Sequence, residues 1–139
     1  MNETAPQVPL HFRRQGDIAV LIIDNPPVNA LSQALRKAIS ETMALTDADP
    51  SIKAVILIGS GSTFIAGADI REFNLKLPAP AGRAAYDSVD ASKKLTVAAI
   101  HGNALGGGLE TALCCHYRVA LRSARVGLPE VLLGLLPGA

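Results

Sequence analysis

The apolar and polar positions near the start of the chain alternate in a way that predicts two strands. Stretches His11–Arg14 and Asp17–Ile23 flank Gln15-Gly16, a pair suited to a tight turn, so a hairpin is expected. The segment Asn25-Pro26-Pro27 ends the second strand, because proline cannot donate to a sheet ladder.

The pattern then changes to the period of a helix. From residue 31 to residue 45, apolar side chains recur three and four positions apart, and Ser32 is a candidate N-cap. The continuous apolar run Ala54–Ile58 is rich in β-branched residues and predicts a buried, parallel strand. A strand, a helix and a second strand form a βαβ unit, so the predicted class is α/β.

Later segments continue this alternation of short helices and strands. We expect residues 1–9 to be a flexible lead-in and residues 10–139 to form one folded region. The Gly-rich segment Gly102–Gly108 is expected to be a turn. The remaining predicted elements are a helical turn at Asp69–Phe73, a helix at Ala81–Lys94, a strand at Val97–Ile100, a helix at Leu109–Cys115, a strand at Tyr117–Leu121 and a mixture of strand and turn at Val126–Leu136.

Composition narrows the classes of protein that this sequence can encode. Of the 139 residues, 49% are hydrophobic and 18% are charged, which favours a packed core over disorder. The formal net charge of +1 gives no basic stripe for a nucleic acid and no polybasic segment for a membrane. No apolar run approaches the roughly 20 residues of a membrane helix. Neither partner is therefore expected.

The cysteines and histidines carry little chemistry on their own. Cys114 and Cys115 are neighbours in the chain and are expected to be small, buried, reduced residues of a cytoplasmic protein. The three histidines, His11, His101 and His116, lack the spacing of metal ligands, so no metal is expected.

A glycine-rich turn stands between a predicted strand and a predicted helix, in the segment His101–Glu110. The dinucleotide fingerprint fails, because its third glycine would fall on Thr111. The phosphate-binding P-loop also fails, because Gly108-Leu109 stands where Lys and Ser or Thr are required. Two interpretations stay open: a backbone site for an oxyanion, and a tight turn where strand and helix pack closely.

Four segments in this order resemble the enoyl-CoA hydratase/isomerase (crotonase) superfamily, along residues 10–139. They are Asn25–Ser32, Phe64–Ile70, Ala99–Glu110 and Leu128–Gly134. The resemblance implies the α/β ClpP/crotonase fold, a spiral of ββα units, here without the C-terminal helices of complete members. Segments Glu110–Ala120 and Gly134–Ala139 look most like the hydratase part of multifunctional proteins that also carry a 3-hydroxyacyl-CoA dehydrogenase.

The resemblance also implies a site. In the family, the backbone N–H groups at the positions of Ala68 and Gly107 hold the thioester oxygen. Glu110 matches the first catalytic glutamate and Glu130 matches the second, 20 residues further on. We expect Glu110 to take a proton from water and Glu130 to deliver one to the α-carbon. Further substrate contacts are expected from Val28, Ala30, Leu31, Ala66, Asp69, Ile70 and Arg71, although Asp69 is also a candidate cap for the short helix after it.

The implied activity is that of an enoyl-CoA hydratase, the syn addition of water to 2-trans-enoyl-CoA in fatty-acid β-oxidation, with enoyl-CoA isomerase activity as an option. The partner is then an acyl-CoA thioester, and no cofactor is expected, since coenzyme A is part of the substrate. Complete family members are trimers, which implies a homo-oligomer. The alternative is a catalytically inactive crotonase-like fragment that acts as an acyl-CoA-binding or assembly module.

Overall fold

The computed structural model describes residues 7–72 and 83–138. Its first two strands, β1 (Leu10–Gln15) and β2 (Ile18–Ile23), pair antiparallel as a hairpin. Gly16 lies in the turn with a φ of 61°, which glycine adopts without a steric penalty. The predicted hairpin is confirmed. Most of the predicted lead-in, residues 1–6, lies outside the described residues.

Helix α1 (Gln33–Ala48) connects β2 to the parallel strand β3 (Ala54–Gly59). The Ser32 side chain accepts a hydrogen bond from the amide of Leu35, so the predicted N-cap is confirmed. The apolar stripe of α1 lies in the core, where Leu35, Ile39 and Met43 are buried. The predicted βαβ unit is therefore present.

The main sheet has five strands in the order β1-β2-β3-β4-β6, where β4 is Leu95–Ile100 and β6 is Tyr117–Ala120. Its pairs are parallel except for β1 with β2. Every second residue of β2, β3 and β4 is buried, so one face of these strands packs in the core while the other is only half covered.

A small parallel sheet of β5 (Asn103–Leu105) and β7 (Arg125–Gly127) adjoins helix α3 (Gly107–Leu113). The predicted uninterrupted turn at Gly102–Gly108 therefore contains a short strand, and the helix begins before Leu109. The reason is pairing with distant segments. The amide of Leu105 donates to Ile65 O at 3.1 Å, and the amide of Gly106 donates to Gly127 O at 2.9 Å.

Helix α2 (Ala84–Asp90) is shorter than expected. The prediction that it reaches Lys94 is wrong, and its predicted first residues, 81–82, lie outside the described residues. The Asp47 carboxylate accepts hydrogen bonds from the Ser92 hydroxyl at 2.7 Å and from the Lys93 amide at 3.2 Å. These bonds from α1 hold the chain in a bend and turn it directly into β4.

The described residues also form short 3-10 helices at Ile70–Glu72 and Pro129–Leu133. The first matches the predicted helical turn, of which Phe73 lies outside the described residues. Asp69 Oδ1 accepts a hydrogen bond from the Arg71 amide at 3.1 Å, so the prediction that Asp69 caps this helix is confirmed. In the described part of the chain, no helix is long and apolar enough to cross a bilayer. Cys114 and Cys115 are free thiols.

Apolar side chains are exposed over the region that follows α3. All four residues of the edge strand β6 are exposed, and Leu132 and Leu136 are 83% and 88% exposed. The other large apolar side chains exposed in this region are Tyr117, Val119, Leu121, Val126, Leu128, Val131, Leu133 and Leu135. Clustered apolar exposure of this kind marks a contact surface.

We expect the 139-residue chain to self-associate through this surface. Burial of apolar area against another copy is favourable by about 25 cal/mol per Å². Replacing Val131 and Leu132 together by lysine should lower the association state seen in light scattering and sedimentation.

Leu45→Lys is the matched control, because Leu45 is 71% exposed on α1, far along the chain from this surface. It should leave the association state unchanged. A monodisperse, monomeric parent chain would contradict the prediction.

Candidate active site

Helix α3 lies directly against the segment 63–68, and a glycine permits this contact. A Cβ on Gly108 would collide with the carbonyl oxygen of Ile65 and would lie 2.8 Å from its Cβ. The amide of Ile65 also donates to Asn103 O at 3.2 Å. Strand pairing and a bare helix surface therefore fix the start of α3 beside residues 63–68.

The segment after β2 is drawn to the same place by a buried asparagine. Asn29 Nδ2 donates to the carbonyl oxygens of Ser60 and Thr63, both at 2.9 Å. The amide of Leu31 donates to Gly67 O at 2.8 Å. Because Asn29 is buried, these bonds satisfy its amide group where water does not reach it.

These contacts border a cavity of about 280 Å³. The structure brings together here four residues that the sequence singled out: Ala68, Gly107, Glu110 and Glu130. The other lining residues are Leu31, Arg36, Arg83, Tyr86, Leu135, Leu136 and Gly138. Two carboxylates therefore share an otherwise largely apolar space with two small residues, Ala68 and Gly107.

The backbones of Ala68 and Gly107 approach each other closely at this cavity. A Cβ built on Gly107 would lie 3.9 Å from the backbone nitrogen of Ala68. Within residues 7–72 and 83–138, neither amide donates a hydrogen bond to another residue. Two neighbouring N–H donors without a protein acceptor are suited to a negatively charged oxygen.

Glu110 lies one turn into α3 and is 6% exposed. The hydroxyl of Tyr86, a residue of α2, donates a hydrogen bond to Glu110 Oε2 at 3.2 Å. Burial, and secondly the charge of Glu110, raise the pKa of Tyr86 above its ordinary value. The phenol therefore keeps its proton and acts as the donor.

Glu130 reaches the cavity from the 3-10 helix Pro129–Leu133. Its Oε1 lies 2.8 Å from the position that a Cβ on Gly106 would take, so the carboxylate rests on the backbone before α3. Its Oε2 is buried and has no hydrogen-bond partner among the described residues. A buried carboxylate oxygen without a partner is costly, and a ligand that supplies a proton or a donor relieves that cost.

Of the seven further substrate contacts predicted from the sequence, Leu31 lines the cavity. The other six are not among its described lining residues: Val28, Ala30, Ala66, Asp69, Ile70 and Arg71. Asp69 binds the Arg71 guanidinium at 2.8 and 2.6 Å, and this hydrogen bonding holds the pKa of the Asp69 carboxyl below its ordinary value. Ile70 is 72% exposed. Substrate contact by these six residues stays a prediction.

Two lining residues, Tyr86 and Arg36, were not singled out by the sequence. The Arg36 guanidinium is held by Leu31 O at 2.7 Å and by Glu72 at 3.1 Å. The sequence held one indication for Tyr86: it shares a helix face with the apolar residues Ala85 and Val89, and a buried phenol needs a polar partner. Glu110, the partner of Tyr86, and Glu72, a partner of Arg36, are distant in sequence, so helix periodicity could not reveal these contacts.

The family model described as enoyl-CoA hydratase/isomerase matches residues 13–139. The chain belongs to the enoyl-CoA hydratase/isomerase family. It is 52% identical over 122 residues to the peroxisomal bifunctional enzyme of Danio rerio, and this match covers 88% of the chain and 17% of that protein. It is 44% identical over 128 residues to a probable enoyl-CoA hydratase of Bacillus subtilis (strain 168), covering 87% of the chain and 50% of that protein.

Solved structures of the family confirm the crotonase-like α/β fold. The enoyl-CoA hydratase of Bacillus anthracis superposes with a TM-score of 0.86 at 29% identity, over 94% of this chain and 54% of that one. The chain thus spans about half of this hydratase and a smaller share of the bifunctional enzyme. In this crotonase-like chain, no described group of three or more His, Cys, Asp or Glu residues is arranged to hold a metal ion.

The Gly108 contact predicts a large loss of stability from one methyl group. Gly108→Ala should lower the free energy of unfolding by about 1–3 kcal/mol, because the clash is with backbone that cannot rotate away. Chemical denaturation followed by circular dichroism measures this change.

Gly127→Ala, in strand β7, is the matched control. A Cβ on Gly127 would meet Leu105 Cδ2 at 3.7 Å, an ordinary contact distance. This variant should unfold with nearly the parent midpoint. Equal midpoints for the two alanine variants would refute the packing argument.

Proposed function

We propose that this chain carries the catalytic site of an enoyl-CoA hydratase, which adds water to 2-trans-enoyl-CoA in fatty-acid β-oxidation. The observation that carries the proposal is the shared cavity. Two closely spaced backbone segments and two glutamates, from three separate parts of the chain, line the same 280 Å³ space. Family membership supplies the type of reaction.

The amides of Ala68 and Gly107 would receive the thioester oxygen. Water attacks the β-carbon of the enoyl group only if electron density can move to this oxygen as an enolate forms. Fixed N–H donors stabilise that charge without reorganisation, and one such donor is worth about 10²–10³ in rate. Small residues suit both positions, since a bulky side chain would keep the thioester away from the backbone.

Glu110 would act as the base. It accepts one proton from water while the water oxygen bonds to the β-carbon, and the π electrons of the double bond move toward the thioester oxygen. Its location on a helix, with a phenol donating to one oxygen, holds the carboxylate in place for this transfer.

Glu130 would complete the addition by giving a proton to the α-carbon, as the enolate electrons return to form the new C–H bond. The product is a 3-hydroxyacyl-CoA, and transfer of a proton from Glu110 to Glu130 would then return both groups to their starting forms. The unpartnered Oε2 of Glu130, buried at the cavity, supports this role because it is available to a proton or to a substrate atom.

The partner in this proposal is an acyl-CoA thioester, and the working state is a homo-oligomer. The exposed apolar surface around β6 and Pro129–Leu133 supports association. The relatives include a Bacillus subtilis protein and peroxisomal proteins, so the cytoplasmic location stays a prediction.

We expect Glu110→Gln and Glu130→Gln, tested separately, each to lower kcat by about 10²–10⁴-fold, because amides cannot exchange these protons. The measurement is the loss of enoyl-thioester absorbance with crotonyl-CoA, in the longest available form of the protein.

Glu41→Gln is the matched control, since Glu41 is an exposed residue of α1 that pairs with Lys37 on the surface. It should keep the parent rate. If both cavity variants hydrate crotonyl-CoA as fast as the parent, the proposed mechanism is wrong.

An acyl-CoA-binding module would give a different pattern. Such a protein would bind crotonyl-CoA in calorimetry and show no hydration at any enzyme concentration, and neither glutamine variant would change the observed rate. Binding together with glutamate-dependent hydration favours the enzyme.

A further inference from the structure

We propose that Tyr86 is a positioning residue for Glu110, holding its carboxylate in a fixed direction beside Gly107. This inference rests on the proposed hydratase function and deepens it by separating the roles of the two glutamates. Tyr86 belongs to α2, a helix outside the four motif segments that the sequence singled out.

The phenol lies between the two functional parts of the cavity. Tyr86 is 8% exposed, and its hydroxyl donates to Glu110 Oε2 at 3.2 Å. A methyl group built on Gly107 would lie 2.7 Å from the same hydroxyl oxygen. Tyr86 therefore touches both the carboxylate and the backbone proposed to hold the thioester oxygen, and glycine at position 107 leaves it room.

The direction of this hydrogen bond is fixed by the protonation of the phenol. Burial is the first cause that raises the pKa of Tyr86, and the charge of Glu110 adds to it, while Arg36 opposes it more weakly. The hydroxyl thus donates at every pH at which the enzyme would work. A hydrogen bond to a carboxylate is about twice as strong as one between neutral groups, so this contact restrains the direction of the Glu110 side chain.

Glu130 has a different environment. Its Oε1 rests on the Gly106 backbone, and its Oε2 has no hydrogen-bond partner among the described residues. A donor is thus fixed on the carboxylate proposed to accept a proton, and Glu130 is left able to carry one. Two acidic groups whose surroundings differ in this way can serve as base and acid in one reaction.

Two cations and a thiol also lie near the phenol. Arg36 on α1 and Arg83 before α2 line the same cavity, and guanidinium groups stay charged throughout. Burial raises the pKa of the Cys114 thiol at the end of α3, so this group stays neutral.

The test is Tyr86→Phe, which removes the hydroxyl and keeps the ring. For crotonyl-CoA hydration we expect kcat to fall about tenfold with KM nearly unchanged, the loss of one hydrogen bond to a charged group. Without this donor, the Glu110 carboxylate should lie in the productive direction less often, which lowers kcat without weakening the binding of substrate.

Tyr117→Phe is the matched control, since Tyr117 is 60% exposed on β6 and does not line the cavity. Its kcat and KM should equal those of the parent. In a Glu110→Gln background, Tyr86→Phe should have little further effect, because its action passes through the carboxylate. If Tyr86→Phe keeps the parent kcat, or lowers kcat equally with and without Glu110, the inference is wrong.

A second measurement keeps the inference testable without turnover. A crystal structure of Tyr86→Phe should show the Glu110 carboxylate turned away from its direction in the parent, and an unchanged direction overturns the inference. A parent that fails to hydrate crotonyl-CoA overturns the proposed function instead, and the direction of the Glu110 carboxylate then still decides the role of Tyr86.

Discussion

The contact between the glycine-rich start of α3 and the segment 63–68 is the constraint on which the site depends. At Gly108 the helix meets the Ile65 backbone without an intervening side chain, and β5 pairs with the same segment. Residues about 40 positions apart in sequence are thereby fixed side by side. Ala68 and Gly107 lie close together because these backbones touch, so the first role of the glycine at position 108 is to permit that contact.

The placement of the two glutamates follows from that contact. Glu110 is a residue of α3, and Glu130 packs against the backbone of Gly106, which precedes the same helix. The positions of both carboxylates are thus set by one helix rather than by independent loops. A site built on shared backbone keeps its internal distances when outer loops move, which general acid–base catalysis requires.

The sequence predicted most elements because their signals are local. The stripe from Leu31 to Leu45, the apolar run at Ala54–Ile58 and the cap at Ser32 each depend on neighbouring residues. It failed where a distant group decided the outcome. Helix α2 ends at Asp90 because Asp47, on another helix, binds Ser92 and Lys93. The candidate site residues that line the cavity are Leu31, Ala68, Gly107, Glu110 and Glu130. The role of Tyr86 became visible only in three dimensions.

The two requirements of the proposed chemistry are met by different residues of the cavity lining. Position is set at Leu31, whose amide binds Gly67 O, and at Gly107, which packs closely against Leu31 and the Ala68 backbone. Exclusion of water would depend on Leu135 and Leu136, which line the cavity and are themselves exposed. Electrostatic stabilisation of an enolate weakens as water enters the site. The placement of the backbone segments and the glutamates is therefore intrinsic to this fold, whereas the strength of the proposed catalysis would depend on how completely these apolar side chains are covered.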